Sequence, residues 1–515
     1  MKLLPVIGLE IHVQLKTRSK MFCSCSNGGE NEPPNTTICP ICTGQPGVLP
    51  VINEEALRLG LKAALALGCR IPDRAKFDRK NYFYPDLPKG YQISEYDLPI
   101  AIQGSLEVDA PGKDANRPRF TAGIIRAHLE EDAAKLIHAE VSGPKDAHGV
   151  SVVDFNRAGT PLLEIVTEPD FHSPAEAKAF LTELRVIMRT IGVSDAEMEK
   201  GHLRVDANIS LRRLNDDGTA IDKIFNPKVE IKNLNSFRSV ERSLEFEIKR
   251  QEKLYRTNTP PATDETRGFN DARGETELQR GKESAKDYRY FPEPDLPALD
   301  LVEIREKITL PELPAARRER LVTEYQISGA DARILVEEPK AADYFESVIS
   351  ELRAWLEAQP ESEGSREEIW EENRARLSRL TLGWLVSKLW GMMAERHITM
   401  KNLKIDPENF AEFITLIHTA KINSSAAQII LSDMLDLGKD PSQIMEDRSL
   451  GQINDTDTIA PIVERLIREN PKLAEDYRAG RTQLIKVFLG LLMKATEGRA
   501  DPRVAEELLK LHLDH

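Results

Sequence analysis

The sequence predicts an α+β chain, strands first and helices after, on three observations. Several segments before Pro297 alternate apolar and polar residues with period two, as a sheet wet on one face does. Prolines gather at Pro292, Pro294, Pro297 and Pro311, and beyond them the apolar residues recur at helical spacing. Third, between Asp154 and Asp170 the residues Leu162, Leu163, Ile165 and Val166 form a short buried-strand run with Glu164 in its middle. A carboxylate taken out of water costs several kcal/mol unless donors or a cation meet it. Glu164 therefore needs a partner, either a buried salt bridge or a metal ion.

In chain order, the opening strand alternates Leu9, Ile11, Val13 and Leu15 with Glu10, His12 and Gln14, so the polar side chains share a face. Cys23-Ser-Cys25 and Cys39-Pro-Ile-Cys42 follow. Four thiols at CxC and CxxC spacing can close a tetrahedral site that suits structural zinc and leaves no open catalytic position; reduced or redox-active cysteines are the other reading. Glu54 to Leu67 is helical, and the lone Cys69 after it is expected in a core. The segment from Lys76 to Ser94 is aromatic and basic, broken by Pro85, Pro88 and Gly90. Its Tyr82, Phe83, Tyr84 and Tyr91 beside Arg79, Lys80 and Lys89 fit either a surface that stacks a base and holds phosphates or a loop packed over a core edge.

Arg126, His128 and Glu130 then alternate with Ile125, Ala127 and Leu129. Ser173-Pro174 opens an amphipathic helix through Ile191, with Phe180, Leu181, Leu184, Ile187 and Met188 inward. Another strand sets Arg204, Asp206, Asn208 and Ser210 against Leu203, Val205, Ala207, Ile209 and Leu211. From Val229 to Asn235, Glu230, Lys232 and Leu234 are expected on one side, Ile231 and Asn233 on the other. Phe237, Val240, Leu244 and Ile248 mark a long helix. The basic residues running from Lys223 to Arg256 are interleaved with Glu and fit either a local basic patch for nucleic acid or a salt-bridged solvent face.

Beyond the prolines, helices are predicted over Pro311 to Glu324, Ser328 to Val336 and Ala341 to Ala358, then a polar break from Pro360 to Gly364. Ser365 and Glu368 make a capping box for the next helix, and Trp384, Leu385, Leu389 and Trp390 give the following stretch an apolar side. The last hundred or so residues form a small helical module. Asn470-Pro471 and Asp501-Pro502 each look like a cap followed by proline at the first helical position, and Gly498 like a stop. Arg478, Arg481 and Lys494 on this module suit either RNA-backbone contact or a solvated basic face.

With 515 residues, 40% hydrophobic and 30% charged, the chain is an ordinary globular protein with room for two to four domains of roughly 150 residues. A net charge of −14 argues against nonspecific nucleic-acid binding over the whole surface but leaves room for a local basic patch. Glu10 interrupts the N-terminal apolar run, which predicts no secretory signal, and Leu484 to Met493 is too short to span a bilayer. A cytoplasmic protein without a membrane segment is expected. There is no G-x-x-x-x-G-K-[ST] loop, since Gly281-Lys282 lacks its context, and no glycine-rich dinucleotide fingerprint.

The acids and imidazole on the predicted strands, Glu10, His12, Glu130, Glu164 and Asp206, are hard-ligand chemistry that favours Mg²⁺. Mg²⁺ is commonly shared with substrate phosphates. Phosphoryl transfer follows as a class, assisted by Lys80, with two-metal phosphodiester cleavage as a competitor.

Several long motifs then resemble one family. Ile7-Gly-Leu-Glu-Ile-His-Val13, the run from Lys76 to Ser94, His128-Leu-Glu-Glu-Asp132, Asp154-Phe-Asn-Arg157, Leu163-Glu-Ile-Val166, Leu203 to Ser210, Lys232-Asn-Leu-Asn-Ser-Phe237 and Asp287 to Asp295 are similar to the B subunits of tRNA-dependent aspartyl/glutamyl amidotransferases. The similarity runs nearly end to end. It implies a cradle-like α+β catalytic domain on a mainly antiparallel sheet with the four-cysteine motif (1–295), a helical domain (296–405) and a small all-α tRNA-binding tail (406–515). It implies ATP and Mg²⁺ as co-substrate and cofactor and structural Zn²⁺ on Cys23, Cys25, Cys39 and Cys42. The reaction implied is phosphorylation of the side-chain carboxylate of Glu on tRNA(Gln) or Asp on tRNA(Asn). Ammonia then arrives from a glutamine-hydrolysing amidase partner, the family's A subunit, with its small C subunit completing a heterotrimer; no G-G-S-S-G amidase signature occurs in this chain. Carried over by motif, Glu10, His12, Glu130, Glu164 and Asp206 fall at the metal, Lys80 at the phosphates, Asn208 near the ammonia outlet, and Arg478, Arg481 and Lys494 in the tail. Ala134 replaces an expected glycine, and Glu357 to Leu377 looks like an insertion. The archaeal E subunit's synthetase-like insert is not found. A noncatalytic zinc-containing tRNA-binding scaffold is the rival reading.

Overall fold

The computed structural model describes residues 2–110, 117–139, 150–222, 224–281, 287–358, 365–453, 455–496 and 498–514. The expected polar break at 360–364, Lys223 and Lys282 lie outside them. The chain divides into two compact units, Met1–Pro314 and Ala315–His515.

The first unit contains strands β1 (Lys2–Gln14), β2 (Arg74–Ala75), β3 (Asp78–Asn81), β4 (Tyr91–Ser94), β5 (Ala101–Asp109), β6 (Arg119–Glu131), β7 (Lys135–Ala139), β8 (Val150–Asp154), β9 (Pro161–Thr167), β10 (Leu203–Leu214), β11 (Val229–Leu234), β12 (Glu265–Asn270), β13 (Glu275–Gly281), β14 (Phe291–Pro292) and β15 (Leu299–Asp300). Helices α1 (Glu54–Ala66), α2 (Pro174–Thr190), α3 (Phe237–Arg256) and α4 (Val302–Glu306) complete it. Eleven strands form one sheet in the order β13-β12-β11-β10-β1-β9-β6-β4-β3-β14, with β5 also on β6. Only β11 and β12 run parallel among its described pairs, so the expected α+β class with a mainly antiparallel sheet is what forms.

The two faces of this sheet separate as the alternation requires. Ile7, Leu9, Ile11 and Val13 of β1, Leu163 and Ile165 of β9, and Val205, Ala207 and Ile209 of β10 point into one core with residues of α1, α2 and α3. Each of those helices begins on a side chain that accepts a backbone N–H: Asn53 for α1, Ser173 before Pro174 for α2, and Ser236 for α3. Cys69 is buried as expected.

Two departures from strict period two are β-bulges, which insert a residue and change which face the next side chains take. In β6 the register shifts between Ile124 and Arg126, so Ile124 is buried while Ile125, expected inward, is 43% exposed. In β11, Asn233 adopts φ +65°, and Leu234 turns into the core against Val205 instead of joining Glu230 and Lys232. Asparagine tolerates this left-handed backbone better than most residues. Ala134, where glycine was expected, has no positive φ and is buried with its N–H on the Asp86 carbonyl, so alanine meets the backbone's demands there.

The second unit is helical: α5 (Pro314–Tyr325), α6 (Gly329–Glu337), α7 (Pro339–Glu357), α8 (Arg366–Trp384), α9 (Trp390–Glu395), α10 (Pro407–His418), α11 (Ser424–Leu437), α12 (Pro441–Asp447), α13 (Thr456–Glu469), α14 (Pro471–Arg478), α15 (Ile485–Ala495) and α16 (Pro502–Asp514). The Ser365/Glu368 capping box forms, and a π-helical turn at Leu385–Leu389 joins α8 to α9 with Leu385 and Leu389 buried. Helices α13 to α16 close over Ile459, Val463, Phe488, Leu492 and Leu509. Gly498 has φ +77°, and Asp501 accepts the Arg503 N–H at 2.7 Å, but Asn470 does not cap α14. Its amide donates back to the Leu466 carbonyl at 2.9 Å, so it closes α13 instead. No helix of the described residues is long and apolar enough to cross a membrane.

Candidate active site

Register assembles the site. On the polar face His12 of β1 lies opposite Glu164 of β9 on one side and Arg204 of β10 on the other, and Glu164 lies opposite His128 of β6. Glu10 faces Asp206 of β10, and Glu130 of β6 faces Ser94 of β4, whose hydroxyl donates to it at 3.3 Å. The pairing thereby brings side chains as distant in sequence as Glu10 and Asp206 into one neighbourhood.

The distances are those of a compact charge cluster. His12 Nε2 stands 3.3 Å from Glu130 Oε1 and 3.4 Å from Glu164 Oε2, and His128 Nε2 is 3.2 Å from Glu164 Oε2 and 3.9 Å from Glu130 Oε2. His128, Glu130 and Glu164 are all buried. Burial works against the charge on His12, but the two carboxylates hold its imidazolium well above the usual histidine range. Burial likewise opposes ionisation of Glu164, and His128 and His12 overcome it, holding the carboxyl well below its ordinary value. Glu10 is raised, first by burial and then by Glu164, a repulsion that a cation would relieve.

The donor atoms fall into two overlapping sets, Glu10/His12/Glu164 and His128/Glu130/Glu164, each with its atoms within 4.8 Å of one another. Three carboxylates suit a hard divalent cation, with imidazole completing the set. Asp206 joins neither set; its carboxylate is held by Lys232 Nζ at 2.5 Å. Lys80 of β3 reaches the same face with Nζ 5.2 Å from the Tyr288 ring centre. Burial would discharge its ammonium, but Glu130 is the foremost of the groups that hold its pKa above the ordinary lysine value. Asn208 lies opposite Gly8 and lines a cavity of about 360 Å³; its Oδ1 is buried without a hydrogen-bond partner among the described residues.

The second ligand group is separate. The sulfurs of Cys23, Cys25, Cys39 and Cys42 lie within 4.8 Å of one another, and the Cys39 N–H donates to Cys42 Sγ at 3.2 Å. A tetrahedral ion with bonds of roughly 2.3 Å to sulfur fits that spacing. Hydrogen bonding from Cys23 lowers the Cys42 thiol to about 5, while burial pushes Cys25 up to about 11. Such a set shares protons that a metal ion would displace.

A family model described as the GatB/GatE catalytic domain matches residues 5–307, and one described as the GatB domain matches residues 367–513. The chain belongs to the GatB/GatE family. Relatives named as the B subunit of aspartyl/glutamyl-tRNA(Asn/Gln) amidotransferase agree along their full lengths. The one from Thermomicrobium roseum is 44% identical over 98% of this chain and 97% of its own. Those from Thermotoga neapolitana and Moorella thermoacetica are 43% and 42% identical, covering 100% and 99% of both chains.

Within this GatB/GatE catalytic domain, sequence reasoning passes over three groups. His128 reads there only as a polar neighbour, though its two-residue spacing from Glu130 puts it on the same face. Asp132 is buried and clasped by Arg157 and Arg204, the latter at 2.5 Å; the Asp-Phe-Asn-Arg motif gives no local sign of that pairing. Tyr288 is joined to β3 through Asn81, whose backbone N–H donates to its carbonyl at 2.9 Å, and Tyr290 stacks on Tyr96 with ring centres 4.0 Å apart. The aromatic, basic segment divides between its two readings. Arg79 is bound to Glu293 at 2.7 Å and lies 4.3 Å over Tyr91, and Lys89 pairs with buried Glu131, whereas Phe83 is 92% exposed. In the GatB domain, Arg478 Nε donates to the Leu513 carbonyl at 2.8 Å, Arg481 pairs loosely with Asp476 at 3.4 Å, and Lys494 is exposed.

Proposed function

We propose that the chain activates the side-chain carboxylate of Glu on tRNA(Gln), Asp on tRNA(Asn), or both, by ATP- and Mg²⁺-dependent phosphorylation, and then amidates it with ammonia. The observation that carries this reading is the His12/Glu164/His128/Glu130 cluster with Lys80 beside it, on the polar face of a rigid sheet.

Glu10, Glu130 and Glu164, with His12 and His128, would hold the divalent cation. When bound, such an ion neutralises charge on a phosphoryl group in transfer. Lys80 would hold a phosphate oxygen, its ammonium kept charged by Glu130 and Glu164. A carboxylate accepts ammonia poorly until one oxygen becomes a leaving group; phosphorylation supplies that, ammonia attacks the acyl carbon, and phosphate departs. The buried carbonyl of Asn208, without a partner among the described residues, would accept a hydrogen bond from the incoming ammonia. In this reading, ammonia comes from an amidase partner held together with a small third chain, and Arg481, Lys494 and Arg478 face tRNA phosphates. The four thiols would hold structural zinc.

Glu164→Gln keeps the side chain's volume and removes its charge. With the amidase and small partner chains, mischarged tRNA and Mg²⁺, ADP release should fall at least ~100-fold while unfolding remains cooperative. Retained ADP release would remove Glu164 from the site. No tRNA-dependent ADP release even from the unsubstituted complex would favour the scaffold reading.

A further inference from the structure

Lys20 is fully buried, among the largest side chains with no exposure. An ammonium in such a place costs several kcal/mol unless a counter-charge meets it. Among the described residues no carboxylate pairs with it. Its Nζ lies 3.7 Å from Cys42 Sγ and 3.4 Å from the Phe155 carbonyl, within donating distance of both. The backbone holds it there: Lys20 N–H donates to the Cys25 carbonyl at 2.9 Å, and the next residue, Met21, donates to the Gly159 carbonyl at 2.7 Å. Gly159 has φ +82°, so this turn depends on a residue free of Cβ strain. A lysine is thus built into the wall of the four-cysteine site, beside the same Cys42 sulfur that the Cys39 N–H reaches.

We propose that Lys20 is the internal counter-cation of the four-cysteine metal site and sets its metal affinity. A divalent ion on four thiolates carries two net negative charges, which a buried location makes costly. One ammonium against the Cys42 sulfur halves that charge and supplies an N–H···S hydrogen bond. In turn the thiolates give the buried ammonium the counter-charge that no described acid provides. Neither half depends on the activity proposed above.

The test is metal affinity in the full chain, by chelator competition with Zn²⁺. Outer partners of metal ligands typically contribute about 10- to 100-fold in affinity, so Lys20→Gln, which keeps a donor and loses the charge, should bind Zn²⁺ more weakly by roughly that factor. Lys20→Arg should stay within a few-fold of the unsubstituted chain. At saturating Co²⁺ every variant should show the same four-thiolate charge-transfer absorption, since the ligands themselves are untouched. A purely structural tether to the Phe155 carbonyl predicts unchanged affinity in Lys20→Gln, and that result would overturn the proposal. So would equal losses in the Gln and Arg variants. Should Lys20→Gln fail to fold, Lys20→Met, neutral and apolar, makes the same comparison.

Discussion

Glu95 offers a quantitative check on the core beneath the site. It follows β4 directly, is 1% exposed, and its Oε2 accepts the N–H groups of Leu129 and Ile100 at 3.0 Å each. Its Oε1 is buried without a partner among the described residues. Burial pushes the carboxyl from 4.5 up to about 8, against the pull of those two N–H donors. The folded state therefore binds the proton more tightly than the unfolded chain. The stability tied to that proton is complete below the unfolded value of 4.5 and is lost as pH rises through the folded value of about 8. At one pKa unit per 1.36 kcal/mol, about 3 kcal/mol is lost between pH 4.5 and pH 7. Glu95→Gln keeps an acceptor for both amides and cannot ionise. Its NH₂ finds no more acceptors than the acid proton does, a cost that shifts stability by a constant without changing its pH dependence. The stability of Glu95→Gln relative to the unsubstituted chain should thus climb by about 3 kcal/mol from pH 4.5 to pH 7 and level off above pH 8. Denaturant unfolding can be followed unit by unit, because Trp355, Trp370, Trp384 and Trp390, all four tryptophans, lie in the second unit, while seven of the ten tyrosines lie in the first. The effect should appear in the tyrosine signal and leave the tryptophan transition unchanged. A difference that stays flat with pH would refute the assignment of a neutral, buried Glu95.

Three further outcomes follow from the same geometry. Arg157→Met leaves buried Asp132 with Arg204 as its remaining arginine and should cost the first unit about 3 kcal/mol at pH 7. Burial raises the Asp132 pKa but Arg204 and Arg157 lower it further, so the arginines' contribution exists above the ordinary carboxylate value and fades as pH falls below it; a loss unchanged by acid would contradict the pairing. Elemental analysis of chain prepared without chelator should find about one zinc per chain, and none would end the structural-zinc reading. Lys494→Ala should weaken tRNA binding and reduce the slope of log affinity against log salt by about 1; an unaltered slope would take Lys494 off the phosphate backbone.

What the sequence made legible was whatever period two governs. Glu10 and His12 on one face of β1, Asp206 and Asn208 on one face of β10, and the buried run around Glu164 were readable because alternation within a strand is local. The four cysteines were readable because CxC and CxxC are short. The bulges at Ile125 and Asn233 were not, since an inserted residue leaves composition unchanged and only pairing exposes it. Asn470 misled because asparagine before proline has the composition of a cap, while its amide was taken by the preceding helix. The clasp of Asp132 by Arg157 and Arg204, and the neighbourhood of Lys80 and Tyr288, join residues far apart in the chain, and nothing local announces them.

The same sheet explains why a cluster this highly charged does not unfold the protein that carries it. Each of these side chains is held on a strand whose neighbouring residues are buried: Ile11 and Val13 flank His12, Leu163 and Ile165 flank Glu164, and Leu129 precedes Glu130. The core therefore fixes the backbone, and the side chains across the strands supply each other's counter-charges, His12 between Glu130 and Glu164, Lys232 on Asp206, Arg157 and Arg204 on Asp132. A site assembled this way is preorganised before any ion or substrate arrives, because its donors already sit within hydrogen-bond range on rigid elements. An ion bound there would exchange one set of counter-charges for another. Lys80 on β3 belongs to the same network of charges. Burial works against its ammonium, which Glu130 and Glu164 help keep charged, whereas Phe83, three residues along, faces solvent.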